Sequence, residues 1–360
     1  MMNKVFNFYP GPATLPQPVL ETARTELLNY RDSGMSVMEM SHRSKPIENV
    51  IASAEANLKE LLKIPEGYRV LFLQGGATSQ FFMIPFNFLT KDQTANYVLT
   101  GSFAEKAYKE ALKTGSAHTA ASTKEEKFRS IPKLEDISVS DNAAYLHLTS
   151  NNTIYGTQWQ QFPQLSIPVV ADMSSDILSR PFDVSNFDLI YAGAQKNLGP
   201  AGVTVVIISE KLINISAQAK LPDMLKYSVH AEKDSMFNTP PTFPVYIVNL
   251  VLEWIKENGG LEKMAARNQE KADMVYQVID QNPDFYQGHA ISDRSLMNIS
   301  FRLPNEDLEK EFVHSAEKVG LVGLKGHRSV GGIRASIYNA MPVEGCAALA
   351  AFMLAFRKTH

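Results

Sequence analysis

Lys196 and Asp172 are the two residues of this sequence whose settings suggest chemistry. Lys196 stands in Ala194-Gln195-Lys196-Asn197-Leu198-Gly199-Pro200, just beyond the apolar segment Asp188-Leu189-Ile190-Tyr191. A lysine ammonium is a poor nucleophile at neutral pH, and burial or nearby positive charge lowers its pKa and frees the amine to form an imine. Asp172 closes the apolar run Ile167-Pro168-Val169-Val170-Ala171, 24 positions earlier, a spacing that fits a strand-to-strand return in an α/β domain. An amine beside a buried anion suits an electron-sink cofactor, held covalently by the amine and kept protonated at its ring nitrogen by the anion. Taken singly, each residue has a plainer reading: Lys196 as a solvated turn residue, Asp172 as a helix N-cap before Ser174, Ser175 and Asp176.

Two further groups could serve the same site. Gly75-Gly76-Ala77-Thr78 lies between a strand-like and a helix-like segment, where free backbone N–H groups and the positive helix end favour a phosphate. No Lys-Ser/Thr follows, so it is not a nucleotide P-loop. Phe103, after the turn Gly101-Ser102, could stack on a cofactor ring or simply start a helix as a core aromatic. Ser41-His42-Arg43-Ser44 and Gly326-His327-Arg328-Ser329 put His-Arg pairs in turn-like settings, and Arg334 follows the glycines of the second. One such dipeptide is ordinary surface. Two of them, with Arg334, suit a substrate with two anionic ends, because guanidinium groups bind carboxylate and phosphate in bidentate fashion.

The elements that must position these residues alternate. Strand-like runs fall at 69–73, 96–99, 143–148, 167–171, 188–191 and 203–208, with helical or loop stretches between them. That pattern predicts an α/β domain with a mainly parallel sheet, since parallel strands need long crossovers and are buried on both faces. The strand before Ser209 is the candidate to run against the others. Helix-spaced apolar residues occupy 20–30, 47–64 and 80–89, and a long helical region from Tyr246 to about Asp280 breaks at Gly259-Gly260. A smaller α+β unit follows, with strands at 296–303 and 332–337 and helices at 305–319 and 343–356. The expected division is an N-terminal segment 1–15 packed on the small domain, a large domain 16–257 and a small domain 258–360.

Composition narrows the function. The chain has 360 residues, 44% of them hydrophobic, enough for substantial cores, and a formal charge of −3. Without a basic excess, neither a nucleic-acid footprint nor a membrane-surface patch is expected, and the partner is a small molecule. The one cysteine, Cys346, rules out an internal disulfide or a cysteine-rich metal site, and no metal is expected. Met1 to Pro10 lacks the apolar core of a secretory signal, and no run has the length of a membrane span. A cytoplasmic protein is expected.

The motifs taken in order carry a resemblance. Asn7-Phe8-Tyr9-Pro10-Gly11-Pro12, Ser-His-Arg at 41–43, Gln-Gly-Gly-Ala at 74–77, Asn-Asn-Thr-Ile-Tyr-Gly at 151–156, Ala-Asp-Met-Ser-Ser at 171–175, Tyr-Ala-Gly-Ala-Gln-Lys-Asn at 191–197, Asn-Thr-Pro-Pro-Thr at 238–242 and Gly-His-Arg-Ser-Val-Gly-Gly-Ile-Arg-Ala-Ser-Ile-Tyr-Asn-Ala at 326–340 span nearly the whole chain. The sequence resembles the phosphoserine aminotransferases of the class-V aminotransferase family.

The resemblance implies a fold-type-I, pyridoxal-5′-phosphate-dependent homodimer with active sites at the subunit interface. Its reaction would move the amino group of glutamate to 3-phosphohydroxypyruvate, giving phosphoserine and 2-oxoglutarate in serine biosynthesis; related enzymes also serve pyridoxine biosynthesis through a phosphorylated hydroxythreonine. Carried onto this chain, Lys196 would hold the cofactor and Asp172 its pyridine nitrogen. Ala77, Thr78 and Gln195 would contact the cofactor phosphate, Thr153 the region near the ring, and Asn238 with Thr239 the phosphate from the partner subunit. Arg334 would take the substrate α-carboxylate. His42, Arg43, His327 and Arg328 would gather around the distal carboxylate or phosphate. The sequence departs from relatives in having Phe103 where Trp is common at the stacking position, and Ala77-Thr78 where some place an arginine. Rival readings are a cysteine desulfurase, against which Cys346 in an apolar helix speaks; a small-substrate transaminase of the alanine-glyoxylate type, which needs fewer distal cations; and a non-catalytic anion-binding protein.

Overall fold

The computed structural model describes residues 5–360; the first four residues of the expected N-terminal segment lie outside them. The central element is a seven-stranded sheet whose strands, from edge to edge, are Tyr68–Leu73, Thr204–Ser209, Leu189–Gly193, Val169–Asp172, Ala143–Thr149, Thr94–Leu99 and Ser116–Ser122. Thr204–Ser209 runs antiparallel to both neighbours and every other adjacent pair is parallel. Val, Ile and Leu fill the inner strands because helices cover both faces, and two large buried clusters, one per face, hold the sheet between them. The helix Lys45–Leu62 packs with Thr242–Glu257 in the first cluster, and the helices Gly76–Phe88 and Ser102–Thr114 in the second.

This topology brings strand ends to one side of the sheet. Leu73, Leu99, Thr149, Asp172 and Gly193 all end strands that run the same way, and the antiparallel strand begins there at Thr204. Open parallel sheets bind ligands in the crevice outside these carboxyl ends, where loops and helix N-termini converge.

A second antiparallel sheet of three strands, in the order Gln287–Gly288, Asn298–Arg302, Ile333–Ser336, packs with the helices Glu306–Lys318 and Val343–Thr359 around a third buried cluster. Phe6–Asn7 pairs in parallel with Leu321–Val322, and Phe8 is buried in that third cluster. The helix Gly260–Asp280 joins the two units: Leu261 and Met264 pack in the large-sheet core, and Ala272, Val275 and Ile279 in the small one. No helix among the described residues is long and apolar enough to cross a membrane.

Candidate active site

A cavity of about 310 Å3 lies at the strand-end edge of the large sheet. Among its lining residues are Ala77, Thr78, Phe103, Thr153, Asp172, Gln195, Lys196, His327 and Arg334. The structure thus brings together residues far apart in the sequence, Ala77 and Arg334 by 257 positions.

Lys196 leaves the strand Leu189–Gly193 on a tight turn. The carbonyl of Ala194 accepts N–H bonds from Lys196, Leu198 and Gly199 at 2.7, 3.2 and 2.8 Å, which fixes the backbone on either side of the lysine. The Lys196 ammonium donates to Thr153 Oγ1 at 2.6 Å and stands 5.5 Å from the centre of the Phe103 ring. Burial lowers its pKa to about 8; Asp172 and Asp176 oppose the shift and Arg334 adds to it. A lysine held near this value keeps a substantial neutral fraction at mildly alkaline pH, as an amine nucleophile or base requires.

Asp172 ends its strand and is 5% exposed. Its Oδ1 accepts the Ser174 N–H at 2.9 Å, so the N-cap-like turn expected from Ser174 and Ser175 coexists with a side chain turned into the cavity. Burial raises the carboxyl pKa, while hydrogen bonding from Ser174, the charge of Lys196 and the Tyr191 hydroxyl pull it down. Burial outweighs these, and a cation placed beside the carboxyl would favour its charged form, the condition for a protonated ring nitrogen.

The strand Tyr68–Leu73 turns into the helix Gly76–Phe88 through Gly75 and Gly76, whose φ values are +93° and +66°. A left-handed pair is where glycine is needed, and it leaves the first N–H groups of a 13-residue helix, those of Ala77 and Thr78 among them, beside the cavity. Arg334 lies on the strand Ile333–Ser336 and is 7% exposed, and its Nε is buried without a partner. A buried guanidinium nitrogen left unpaired implies a missing acceptor. Burial and the charges of Arg334, Arg328 and Lys106 lower the pKa of His327.

Other expected site residues lie elsewhere in the chain. Arg328 is exposed and lines a separate cavity with Glu306, Glu317 and Lys325, so the adjacent His327 and Arg328 face opposite sides of their loop. His42 approaches Thr239, Nδ1 to Oγ1 at 3.4 Å, and the Thr239 carbonyl accepts from Gln74 Nε2 at 2.9 Å. None of His42, Arg43, Asn238 or Thr239 lines the cavity within one chain. Arg43 and Thr239 are exposed.

Sequence reasoning missed the cavity wall formed by Pro10 and Gly11. Tyr338 donates to the Pro10 carbonyl at 2.7 Å, and Ala13 N–H donates to the Gln195 carbonyl at 2.9 Å, so the N-terminal segment is fastened over the lysine loop. The signal was present in the motif Tyr9-Pro10-Gly11-Pro12, whose rigid residues suit a strap, but nothing local said where the strap lies.

Residues 5–349 match the family model described as aminotransferase class-V. The chain belongs to that family. Among its relatives, the phosphoserine aminotransferase of Geobacillus kaustophilus is 56% identical over 358 residues, 99% of each chain, and that of Bacillus subtilis 53% identical over the full length of both. The structure of phosphoserine aminotransferase from Bacillus circulans subsp. alkalophilus superimposes with a TM-score of 0.97 at 55% identity, covering 99% of both chains. The pyridoxal-phosphate-bound phosphoserine aminotransferase of Trichomonas vaginalis superimposes with a TM-score of 0.91 at 37% identity, covering 98% of this chain and all of that one. The cofactor of this class-V aminotransferase is pyridoxal phosphate. The cavity fits that group in kind: a buried carboxyl for a ring nitrogen, a depressed lysine for an aldehyde, and a helix N-terminus for a phosphate.

Proposed function

We propose that the cavity holding Lys196, Asp172 and Arg334 is the catalytic centre through which this class-V enzyme works. The enzyme is a transaminase that moves the amino group of L-glutamate to 3-phosphohydroxypyruvate, giving O-phospho-L-serine and 2-oxoglutarate in serine biosynthesis. The observation that carries the assignment of the centre is the convergence in one cavity of a lysine lowered to about 8, a buried carboxyl and a buried arginine with an unpaired Nε.

When bound, pyridoxal phosphate supplies the electron sink that lets the bond between the amino acid Cα and its hydrogen break. In this reading Lys196 Nζ would hold the cofactor and, when free, would be the base that takes the proton from the substrate Cα. Thr153 Oγ1 accepts from the free Lys196 Nζ at 2.6 Å and fixes its position when it does not hold the cofactor. Asp172 would supply the negative charge for the ring nitrogen. The N–H groups of Ala77 and Thr78, with the Gln195 side chain, would hold the cofactor phosphate, and Phe103 would offer its ring as a stacking face. Arg334 binds the substrate α-carboxylate through its fork of donors, including the unpaired Nε.

The distal anion requires cations, and His327, whose pKa is lowered, is held toward its neutral form. His42, Arg43, Asn238 and Thr239 lie outside the single-chain cavity, which supports a homodimer in which a second copy completes each site. Arg328, on the same loop as His327, joins this group if its side chain turns inward. The division into a large domain 16–257 and a small domain 258–360, with the N-terminal segment on the latter, and a cytoplasmic location belong to the same proposal.

An absorbance titration of the purified holoenzyme tests the reading. Glutamate is expected to bleach the yellow band and 3-phosphohydroxypyruvate to restore it. Restoration by unphosphorylated keto acids alone would overturn the substrate assignment, and an unaltered titration in Lys196→Ala would overturn the assignment of the centre.

A further inference from the structure

The Asp172 carboxyl is supported from behind by two residues that do not line the cavity. Tyr191 is its direct Cα partner across the parallel pair, so the two side chains stand on the same face of the sheet. The Tyr191 hydroxyl is near enough to the carboxyl to favour its charged form, and it stands 2.9 Å from Nε2 of His147. His147 is on the strand beyond, paired with Val170, two residues before Asp172 and on the same face. It is 1% exposed and lies between the rings of Tyr97 and Tyr191, with centroids at 4.9 and 5.9 Å.

Counting protons fixes the direction of this chain of groups. Burial lowers the His147 pKa to about 3, so the ring is neutral and carries one proton. His147 Nδ1 is buried with no partner. A proton on Nδ1 would leave an orphaned buried N–H, which proteins avoid, and would make Nε2 take the single Tyr191 proton, turning a tyrosine lone pair toward the carboxylate. A proton on Nε2 satisfies both demands: His147 donates to the Tyr191 oxygen, and Tyr191 is left free to donate to Asp172.

We propose that Tyr191, oriented by the Nε2–H of His147, is a positioning residue that holds Asp172 as an ionised acceptor facing the cavity. The proposal rests on the reading of Asp172 as the ring-nitrogen partner. The relay strengthens that role, because a hydrogen bond donated to a carboxylate favours its charged form over transfer of the ring proton onto the carboxyl.

The test uses holoenzyme carrying cofactor labelled with 15N in the ring, whose chemical shift reports ring protonation, together with the cofactor dissociation constant and thermal melting. Tyr191→Phe and His147→Leu are expected to move the ring signal toward neutral pyridine and to weaken cofactor binding about tenfold, the scale of one hydrogen bond to a charged group. His147→Gln, whose amide supplies a donor in place of Nε2, is expected to restore the original signal. Asp172→Asn is the reference. If it shifts the ring signal while folded Tyr191→Phe and His147→Leu do not, the relay is wrong and the Asp172 reading stands; if Asp172→Asn leaves the signal unmoved, that reading falls and the relay with it. If Tyr191→Phe fails to fold, the His147→Leu and His147→Gln pair decides by the same shift.

Discussion

Asn339 donates its backbone N–H to Oδ1 of Asn197 at 3.0 Å, so the residue next to Lys196 is tied to the segment that leaves Arg334. The Asn339 side chain donates to the Leu178 carbonyl at 2.9 Å and accepts from Asn268 at 2.8 Å, and Lys271 donates to the carbonyls of Ile337 and Tyr338 at 2.9 and 2.7 Å. Two candidate catalytic groups on different sheets are thereby held in one frame. Such a frame matters because misplacement by about 1 Å in a site that must bind and abstract a proton can cost on the order of a hundredfold in rate.

Asn339→Leu should test the frame. The substitution strands the Leu178 carbonyl and one Asn268 donor in a region where Asn339 is 1% exposed, at about 1–3 kcal/mol for each unpaired group. Urea unfolding is expected to show a lower midpoint with an unchanged slope, and kcat/KM to fall even where the protein remains folded. A variant with wild-type stability and activity would show that the two segments hold position without the bonds of the Asn339 side chain.

Arg334→Lys separates charge from geometry. Lysine keeps the cation but presents a point charge in place of a planar fork. The expected loss is about 10- to 100-fold in kcat/KM for glutamate, the range of one or two charge-assisted hydrogen bonds, with a larger effect on KM than on the melting temperature. Equal loss for substrates with and without an α-carboxylate would show that Arg334 acts on something else.

Mixed dimers test the placement of Arg43. If this exposed residue serves the partner's cavity, Lys196→Ala and Arg43→Ala chains, each feeble alone, should regain activity when unfolded together and reassembled, because one of the two sites in a heterodimer is then intact. Measured by steady-state turnover after mixing, no recovery means that Arg43 works in its own chain or not at all.

The lysine and the carboxylate were legible in the sequence because each follows a buried apolar strand, and parallel topology forces such strand ends to one edge. The glycine turn was legible for a related reason: positive φ at Gly75 and Gly76 leaves few alternatives. What the sequence hid was direction. His327 and Arg328 are neighbours in the chain, yet only His327 reaches the cavity, since a turn points adjacent side chains apart and a dipeptide carries no record of which way. The strand Ser116–Ser122 escaped notice because it lies at the sheet edge with only Ala120 buried, and so lacks the apolar run that marks inner strands. The helix Ser102–Thr114 buries only Ala104, Ala107 and Ala111, too small a stripe to stand out beside its charged residues. The relay behind Asp172 depends on register between strands, which no single segment specifies.

The depressed lysine makes a prediction about stability as well as rate. In cofactor-free protein the folded-state pKa of Lys196 is about 8, below the ordinary lysine value of about 10.4 expected in the unfolded chain. Between those limits the unfolded state binds more protons than the native one, so stability rises with pH through that window; below about 8 both states are protonated and the full penalty of burying the charge persists. Lys196→Met, of similar length and without charge, removes the penalty. Its melting temperature should therefore exceed that of the cofactor-free wild type at pH 7, and the difference should shrink steadily from pH 8 to about 10.5. A gap that stays constant across that range would mean that Lys196 titrates as an ordinary exposed lysine, and with it would go the physical basis for its role as nucleophile and base.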